Sequence, residues 1–419
     1  MLVREAFSFW TAHPFDFEIW VRAGYWVAHG VSPYTAMPFA PGVSMANDFG
    51  GPNSGIAAAV GYLPFWPALL GGLYEIYALL GSPTPFLYYF LIKQPIIICD
   101  VLTAYFLFKY VDKRGSNQSS IVLKLWLLSP YTIVVSSIWG MFDAIAVLFV
   151  VLALTSPPGA YRGMWAGIAT FAKSVPLIYT IPLARGPKPI RNLAIALGIP
   201  ILASLAIIWI AGWSISGQGG VGTTLGSTLS SARGSLSLWA IAYYLNSNGM
   251  LSGSTTTAVS APAGIAWIVA VPIATILAYK WFGFNTERGL VQSLILITLT
   301  FLLLRGQVNE QYALYLFAPA LIDVALWSPQ RRKLVLVSMA AVFAFQITNV
   351  VLFIRYATPL FPNALSVESG IIAQINPERN ALLFLEALVF CVVNIYYFYS
   401  LYHERHIRTP DSILLPGSP

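Results

Sequence analysis

Apolar residues fall in long runs along this chain, separated by short polar or charged breaks. The runs lie roughly at 56–80, 85–108, 119–138, 141–155, 161–183, 192–213, 262–282, 289–305, 311–327, 333–354 and 380–402. A helix needs ~20 apolar residues to cross a bilayer, or ~17 at the short end. These runs lack the ~10-residue alternation of a membrane β-barrel, and in hydrocarbon every backbone polar group must be bonded within the protein. The pattern therefore predicts an all-α polytopic membrane protein with about ten transmembrane helices, some broken or re-entrant. Residues 161–183 contain Lys173-Ser174-Val175-Pro176, which splits that run into two half-helices returning to one side. Residues 56–80 carry Pro64, Pro67 and Gly71-Gly72 and are the other candidate for a dip into the membrane.

The breaks divide the chain into five parts. Residues 1–55 hold no spanning run, and Trp10, Trp20, Tyr25, Trp26 and Tyr34 suit headgroup depth. A first helix group follows at 56–213. Segment 214–261 is Gly/Ser/Thr-rich, with one apolar stretch at 236–245 that predicts a short interfacial helix. A second helix group occupies 262–402, and 403–419 is a tail.

Composition narrows the class further. Hydrophobic residues make up 57% of the 419 and charged residues 9%, where soluble domains carry ~25% charged. A water-facing globule and a disordered chain are both excluded. The net charge of +7 comes without a basic run longer than Arg331-Arg332-Lys333, so nucleic acid is not a predicted partner. The positive charges instead mark short loops as cytoplasmic: Lys109, Lys113 and Arg114; Arg185, Lys188 and Arg191; Lys280 and Arg288; Arg331–Lys333; and the tail from His403. Parity then places residues 1–55, Trp139-Gly140, 214–261, 306–310 and 355–379 on the outer face. Cys99 and Cys391 sit inside apolar runs and read as small buried hydrophobes. The first twenty residues lack the apolar core of a cleavable signal.

Three polar constellations fall on that outer face. Phe15-Asp16-Phe17-Glu18-Ile19-Trp20 places two acids among aromatic residues. On a helix they lie ~200° apart, so one pocket need not hold both; in a loop their hard oxygens suit a divalent cation. Either Asp16 is a general base tuned by apolar neighbours, or both are solvated interfacial acids. Trp139-Gly140-Met141-Phe142-Asp143 sets a carboxylate at the mouth of a helical hairpin, as a functional acid or as a helix-start acid favoured by the dipole. Arg305-Gly306-Gln307-Val308-Asn309-Glu310-Gln311-Tyr312 packs six polar groups into eight residues. Arg305 there is either a phosphate ligand or a snorkelling cation, and Asn309 and Gln311 are candidate hydroxyl ligands. Lys173, Lys93 and Asp100 are ionisable residues within the runs, and Arg233, Arg355 and Arg379 are outer-face cations. Lys93 and Asp100 stand seven residues apart, ~10 Å along one helix face, so each needs another partner. Phosphate-loop, dinucleotide, HExxH and GxSxG signatures are all lacking.

In order along the chain come the acidic pair, Gly30-Val31-Ser32-Pro33-Tyr34, the Pro64/Pro67 helix entry, Lys93-Gln94-Pro95 with Asp100, Trp139 to Ile145, Phe171 to Leu183, and Val308 to Pro319. This order resembles the membrane glycosyltransferases of the GT-C superfamily, in the branch that includes the dolichyl-phosphate-mannose mannosyltransferases. The resemblance spans roughly residues 14–330. It implies a polyprenyl-phosphate sugar as donor, a glycan or glycolipid as acceptor, and an extracytoplasmic or lumenal active site in the cell membrane or endoplasmic reticulum. It further implies inverting transfer of a hexose, with mannose the implied sugar. By position Asp16 is the base and Glu18 the second acid. Arg305 and Lys173 would hold the donor phosphate, and Asp143, Trp139, Asn309, Glu310, Gln311 and Tyr312 would contact substrate. The chain departs from the family in having fifteen residues before the acidic pair, where members carry a helix, and in Glu18 where some members have a second Asp. The alternative reading is a secondary transporter or lipid flippase, for which Lys93, Asp100 and Lys173 would be the coupling residues.

Overall fold

Proline sets many of the helix starts. Pro85, Pro130 and Pro189 each occupy a first helical position, where a missing N–H costs nothing and φ is already helical. The computed structural model describes residues 1–45, 59–217, 219–222, 235–260 and 262–404; Arg233 and the tail beyond Glu404 lie outside these. The structure is 75% helix, with no strand among the described residues. In chain order the helices are α1 (Leu2–Ser8), α2 (Asp16–Ala28), α3 (Phe65–Leu79), α4 (Pro85–Asp112), α5 (Ser119–Leu127), α6 (Pro130–Ile133), α7 (Asp143–Thr155), α8 (Ala160–Ala172), α9 (Thr180–Leu183), α10 (Pro189–Ala211), α11 (Leu238–Ser247), α12 (Gly253–Ser260), α13 (Ala263–Phe282), α14 (Glu287–Leu304), α15 (Leu314–Leu326), α16 (Arg332–Asn349) and α17 (Ala364–Glu404).

Five of these are long and apolar enough to cross a membrane: α4, α10, the stretch Gly253–Trp281, α14 and α17. Two bent pairs raise the number to seven, Ser119–Leu127 with Pro130–Trp139 (48°) and Pro329–Asn349 with Val351–Ala357 (63°). Among the described residues, about ten spans are not reached on length and apolarity. The run at 161–183 breaks where expected. Lys173 is extended (φ −154°, ψ 144°) after α8, and a 3-10 turn Val175–Tyr179 leads into the four-residue α9.

The bundle is layered. α7, α14 and α15 are buried almost throughout, whereas α10, α13 and α17 turn large apolar side chains outward. Ile190, Trp209, Ile210 and Ile265 are each more than 60% exposed. In water that surface would aggregate; in a bilayer it is the lipid-facing skin. α8 and α10 meet through a G-x-x-x-G pattern. A Cβ on Gly163 would stand 2.6 Å from the Asn192 carbonyl, and one on Gly167 3.0 Å from that of Ala196, so only glycine permits this approach.

The loops read as cytoplasmic converge on one end. Arg331 Nη1 lies 2.8 Å from Asp323 and its Nη2 bonds Glu404, which also takes Arg288. Arg114 pairs with Glu287, and Ser116 donates to the Ala325 carbonyl at 2.9 Å. The apolar stretch at 236–245 forms a short helix, α11. Segment 355–379 enters α17 at Ala364, and that helix runs 41 residues with a kink at Ile375.

Candidate active site

The site is built where the chain refuses to be a straight helix. α5 ends at Leu127, Pro130 starts α6, and the next turn widens to a π-helix, Val134–Trp139. Gly140 closes it with φ +83°, a left-handed cap that suits glycine. A Cβ there would also crowd Phe17 and the Lys93 side chain at 3.1–3.3 Å. This turn aims the Trp139 indole N–H at Asp16 Oδ2, 2.9 Å away. π-bulges of this kind recur at functional sites.

Asp16 opens α2. Before it, His13-Pro14 turns the chain, and His13 Nδ1 accepts the backbone N–H groups of Phe15 and Asp16, both at 3.3 Å. The Asp16 side chain stays 30% exposed and lies 3.5 Å from His13 Nδ1. Burial pushes the His13 pKa well down, helped by Arg355, so the imidazole is neutral and the contact is not an ion pair. Loss of hydration raises the Asp16 pKa above its ordinary value. The Trp139 bond and the charges of Lys173 and Arg355 pull it partly back. Asp16 is thus a carboxylate shifted towards neutrality and open on one side, the condition a general base needs.

Lys173 and Arg305 form the cationic side. Lys173, at the break after α8, pairs with Asp143 at the start of α7; both are buried. The second Asp143 oxygen and the Tyr315 hydroxyl approach each other without closing a hydrogen bond. The Lys173 ammonium lies 4.5 Å from the Phe142 ring centre and 5.3 Å from those of Tyr62 and Tyr312. Arg305 shares Tyr312 with it, 4.8 Å from the ring centre, and also lies over Phe301 (5.2 Å) and Trp267 (5.7 Å). It is 7% exposed, and its guanidinium makes no hydrogen bond or ion pair among the described residues.

An apolar groove of about 890 Å³ lies beside Trp267. Leu177, Ile181, Ile268, Val271 and Ile276 wall it, and Arg185 and Tyr279, 3.1 Å apart, stand at its positive end.

The remaining acids and amides split. Glu310 is buried, accepts from Asn349 Nδ2 at 2.9 Å, and lends its carbonyl to the Tyr131 hydroxyl at 2.8 Å. Gln311 is buried with Oε1 unpartnered among the described residues. Asn309 accepts from Gln307 at 3.2 Å. Glu18 is turned elsewhere: Arg22 Nε lies 2.6 Å from Oε1 and Met45 N 2.9 Å from Oε2, so it braces the loop near 37–45. Asp16 and Glu18 do not share a pocket, and among the described residues no three His, Cys, Asp or Glu side chains stand together as metal ligands.

Several participants escape a reading of charge and hydropathy. α16 turns by 63° into a 3-10 segment, Val351–Ala357, through Leu352 (φ 52°) and Phe353 (φ 63°). Left-handed backbone costs such residues roughly 1–2 kcal/mol each. The turn brings the Tyr356 ring within 5.5 Å of His13 and 6.2 Å of Trp139. Arg355, whose Nε donates to the buried Glu368 at 2.5 Å, acts electrostatically on Asp16 and Glu310. Only Arg355 carried a signal, as an outer-face cation. Lys93 and Asp100 are each occupied elsewhere. Lys93 bonds the carbonyls of Thr11 and Ser137, the latter at 2.7 Å, and so ties the Asp16 segment to the Trp139 turn.

No family model matches the chain. Over 246 residues it is 24% identical to GPI mannosyltransferase 1 of Eremothecium gossypii, a match covering 55% of this chain and 60% of that protein. The chain thus spans less than two thirds of the length of this relative. The similarity supports the resemblance to GT-C membrane mannosyltransferases.

Proposed function

We propose that this multi-pass membrane protein is a mannosyltransferase that takes its sugar from a polyprenyl-phosphate donor on the extracytoplasmic or lumenal face. Asp16 accepts the proton of an acceptor hydroxyl. The oxygen forms its bond to the anomeric carbon as the bond to the phosphate oxygen breaks, and the configuration inverts. The leaving phosphate carries away the electron pair and is received by Arg305, with Lys173, which shares the Tyr312 ring, adding positive charge. The apolar groove beside Trp267 takes the isoprenoid chain, and the unpartnered polar atoms of Gln311 and Tyr315 take sugar hydroxyls. A glycolipid is the acceptor class, as the name of the fungal relative suggests. The short buried helices α7 and α15 complete the crossings that the long helices begin.

One observation carries this reading. Arg305 is a buried side chain on an aromatic bed with no anion among the described residues, and the Trp267 ring beneath it lines the lipid-sized groove. A buried charge left without a partner is costly unless a ligand supplies one. Arg305→Gln in membranes given a labelled polyprenyl-phosphate mannose is expected to cut transfer by about 10²- to 10³-fold, the usual cost of losing one charge-stabilising donor. Transfer at the wild-type rate would reject the assignment.

A further inference from the structure

The end of the bundle remote from Asp16 holds a second opening, of about 1060 Å³. α7 connects the two: Asp143 begins it in the site, and Thr155 ends it in the wall of this basin. At ~1.5 Å per residue the two lie ~18 Å apart.

Four cations line the basin, Lys109, Lys113, Arg114 and Arg162, against one carboxylate, Glu287. Arg114 consumes that carboxylate. Its Nε reaches Oε2 at 2.7 Å, its Nη2 bonds the other oxygen, and its plane lies 3.4 Å over the Tyr110 ring. Among the described residues the other three cations form no ion pair, although Glu287 acts on Arg162 through space. Arg162 is 5% exposed, gives Nε and Nη2 to the Ser156 carbonyl at 3.2 and 2.7 Å, and leaves Nη1 without a partner among the described residues. The ammonium groups of Lys109 and Lys113 enter no hydrogen bond or ion pair among the described residues; Lys109 lies 5.7 Å from the Tyr105 ring. Asp112, next in sequence, accepts from Ser119 at 3.2 Å and is not part of the lining. The facing wall is apolar, with Phe106, Leu152, Leu326 and Trp327.

We propose that this basin binds the phosphate headgroup of an anionic phospholipid. The Arg162 edge and the two lysines meet the phosphate, and the apolar wall lies against the first methylenes of the acyl chains. A soluble anion would leave that wall wet, whereas a lipid covers both halves. The basin also sits among the charged loops that belong at the cytoplasmic leaflet, where anionic lipids concentrate. The proposal does not depend on the transferase reading.

The test uses the full chain, purified in detergent and titrated with phosphatidylglycerol, phosphatidylcholine or inorganic phosphate. Native mass spectrometry counts retained lipid and thermal unfolding follows stabilisation. One phosphatidylglycerol is expected to be held about tenfold more tightly than phosphatidylcholine. Lys109→Gln with Lys113→Gln is expected to weaken it by about thirtyfold. Adding Arg162→Gln should weaken it further; the double variant keeps the Ser156 contact and so guards against a folding failure. Equal binding of the two lipids, or unchanged phosphatidylglycerol binding in the double variant, would overturn the proposal. So would displacement of the lipid by an equal concentration of inorganic phosphate.

Discussion

Two buried aspartates, Asp100 and Asp143, face opposite fates. Asp100 accepts Arg4 Nε at 2.7 Å and Ser136 at 2.9 Å on one oxygen, and Trp126 Nε1 at 2.7 Å on the other. Arg4 spends its remaining donors on the Leu127 carbonyl (2.7 Å) and Thr132 (3.1 Å). Both Asp100 oxygens and all three Arg4 nitrogens are engaged, and the network locks α1 to α4 and to the bend that creates the π-turn. Asp143 has one firm partner, Lys173, which leans on aromatic rings, while its second oxygen stays open. A closed buried pair is architecture. An open one beside an unpaired arginine is a place for a ligand. The difference also weakens the transporter alternative, because both Asp100 oxygens are already held by structural donors.

Substitutions can pull the two apart. Arg4→Met would strand the Asp100 charge and is expected to destabilise the fold by about 3–5 kcal/mol, read as a lower unfolding temperature. Whatever protein folds should retain its turnover per molecule. Lys173→Gln should act on chemistry first, with transfer falling about 100-fold. Its acid limb should also move up, because Lys173 is one of the charges holding the Asp16 pKa down. If unfolding shifts as far as it does in Arg4→Met while turnover holds, Lys173 belongs to the architecture and the contrast fails. Trp139→Phe is the smallest change. It removes the hydrogen bond that most lowers the Asp16 pKa, so the carboxylate becomes harder to ionise. The base is active when deprotonated, so activity is lost as pH falls through its pKa. That loss should set in about one pH unit higher in the variant, since a bond to a charged group is worth ~1.5 kcal/mol. An unmoved acid limb would detach Trp139 from Asp16.

Much of this was legible in the chain because membrane proteins separate polar from apolar residues so sharply. The stretch at 236–245 became α11, the prolines marked helix starts, and Lys173-Ser174-Val175-Pro176 broke its run. Asp16, Trp139, Asp143, Lys173 and Arg305 stood out as polar or interfacial residues at the edges of apolar runs. The opposite facing of Asp16 and Glu18 follows from their two-residue spacing once α2 is a helix. The partnerships were not legible. Asp143 and Lys173 are 30 residues apart and meet only because α7 and α8 fold back as a pair. Tyr62 and Tyr356 were hidden among 22 tyrosines in an aromatic-rich chain. Segment 355–379 was placed on the outer face by parity alone, and nothing in its pattern showed that Glu368 is buried against Arg355. The glycine approach of α8 to α10 needed the second helix in view.

The most direct measurement is sugar transfer by Asp16→Asn, made in the purified chain with a polyprenyl-phosphate mannose donor and a glycolipid acceptor. The amide keeps the shape of the side chain but cannot take a proton. Transfer should fall by about 10²- to 10⁴-fold while the unfolding temperature stays close to wild type. Transfer at the wild-type rate would show that the proton leaves by another route and that Asp16 is not the base.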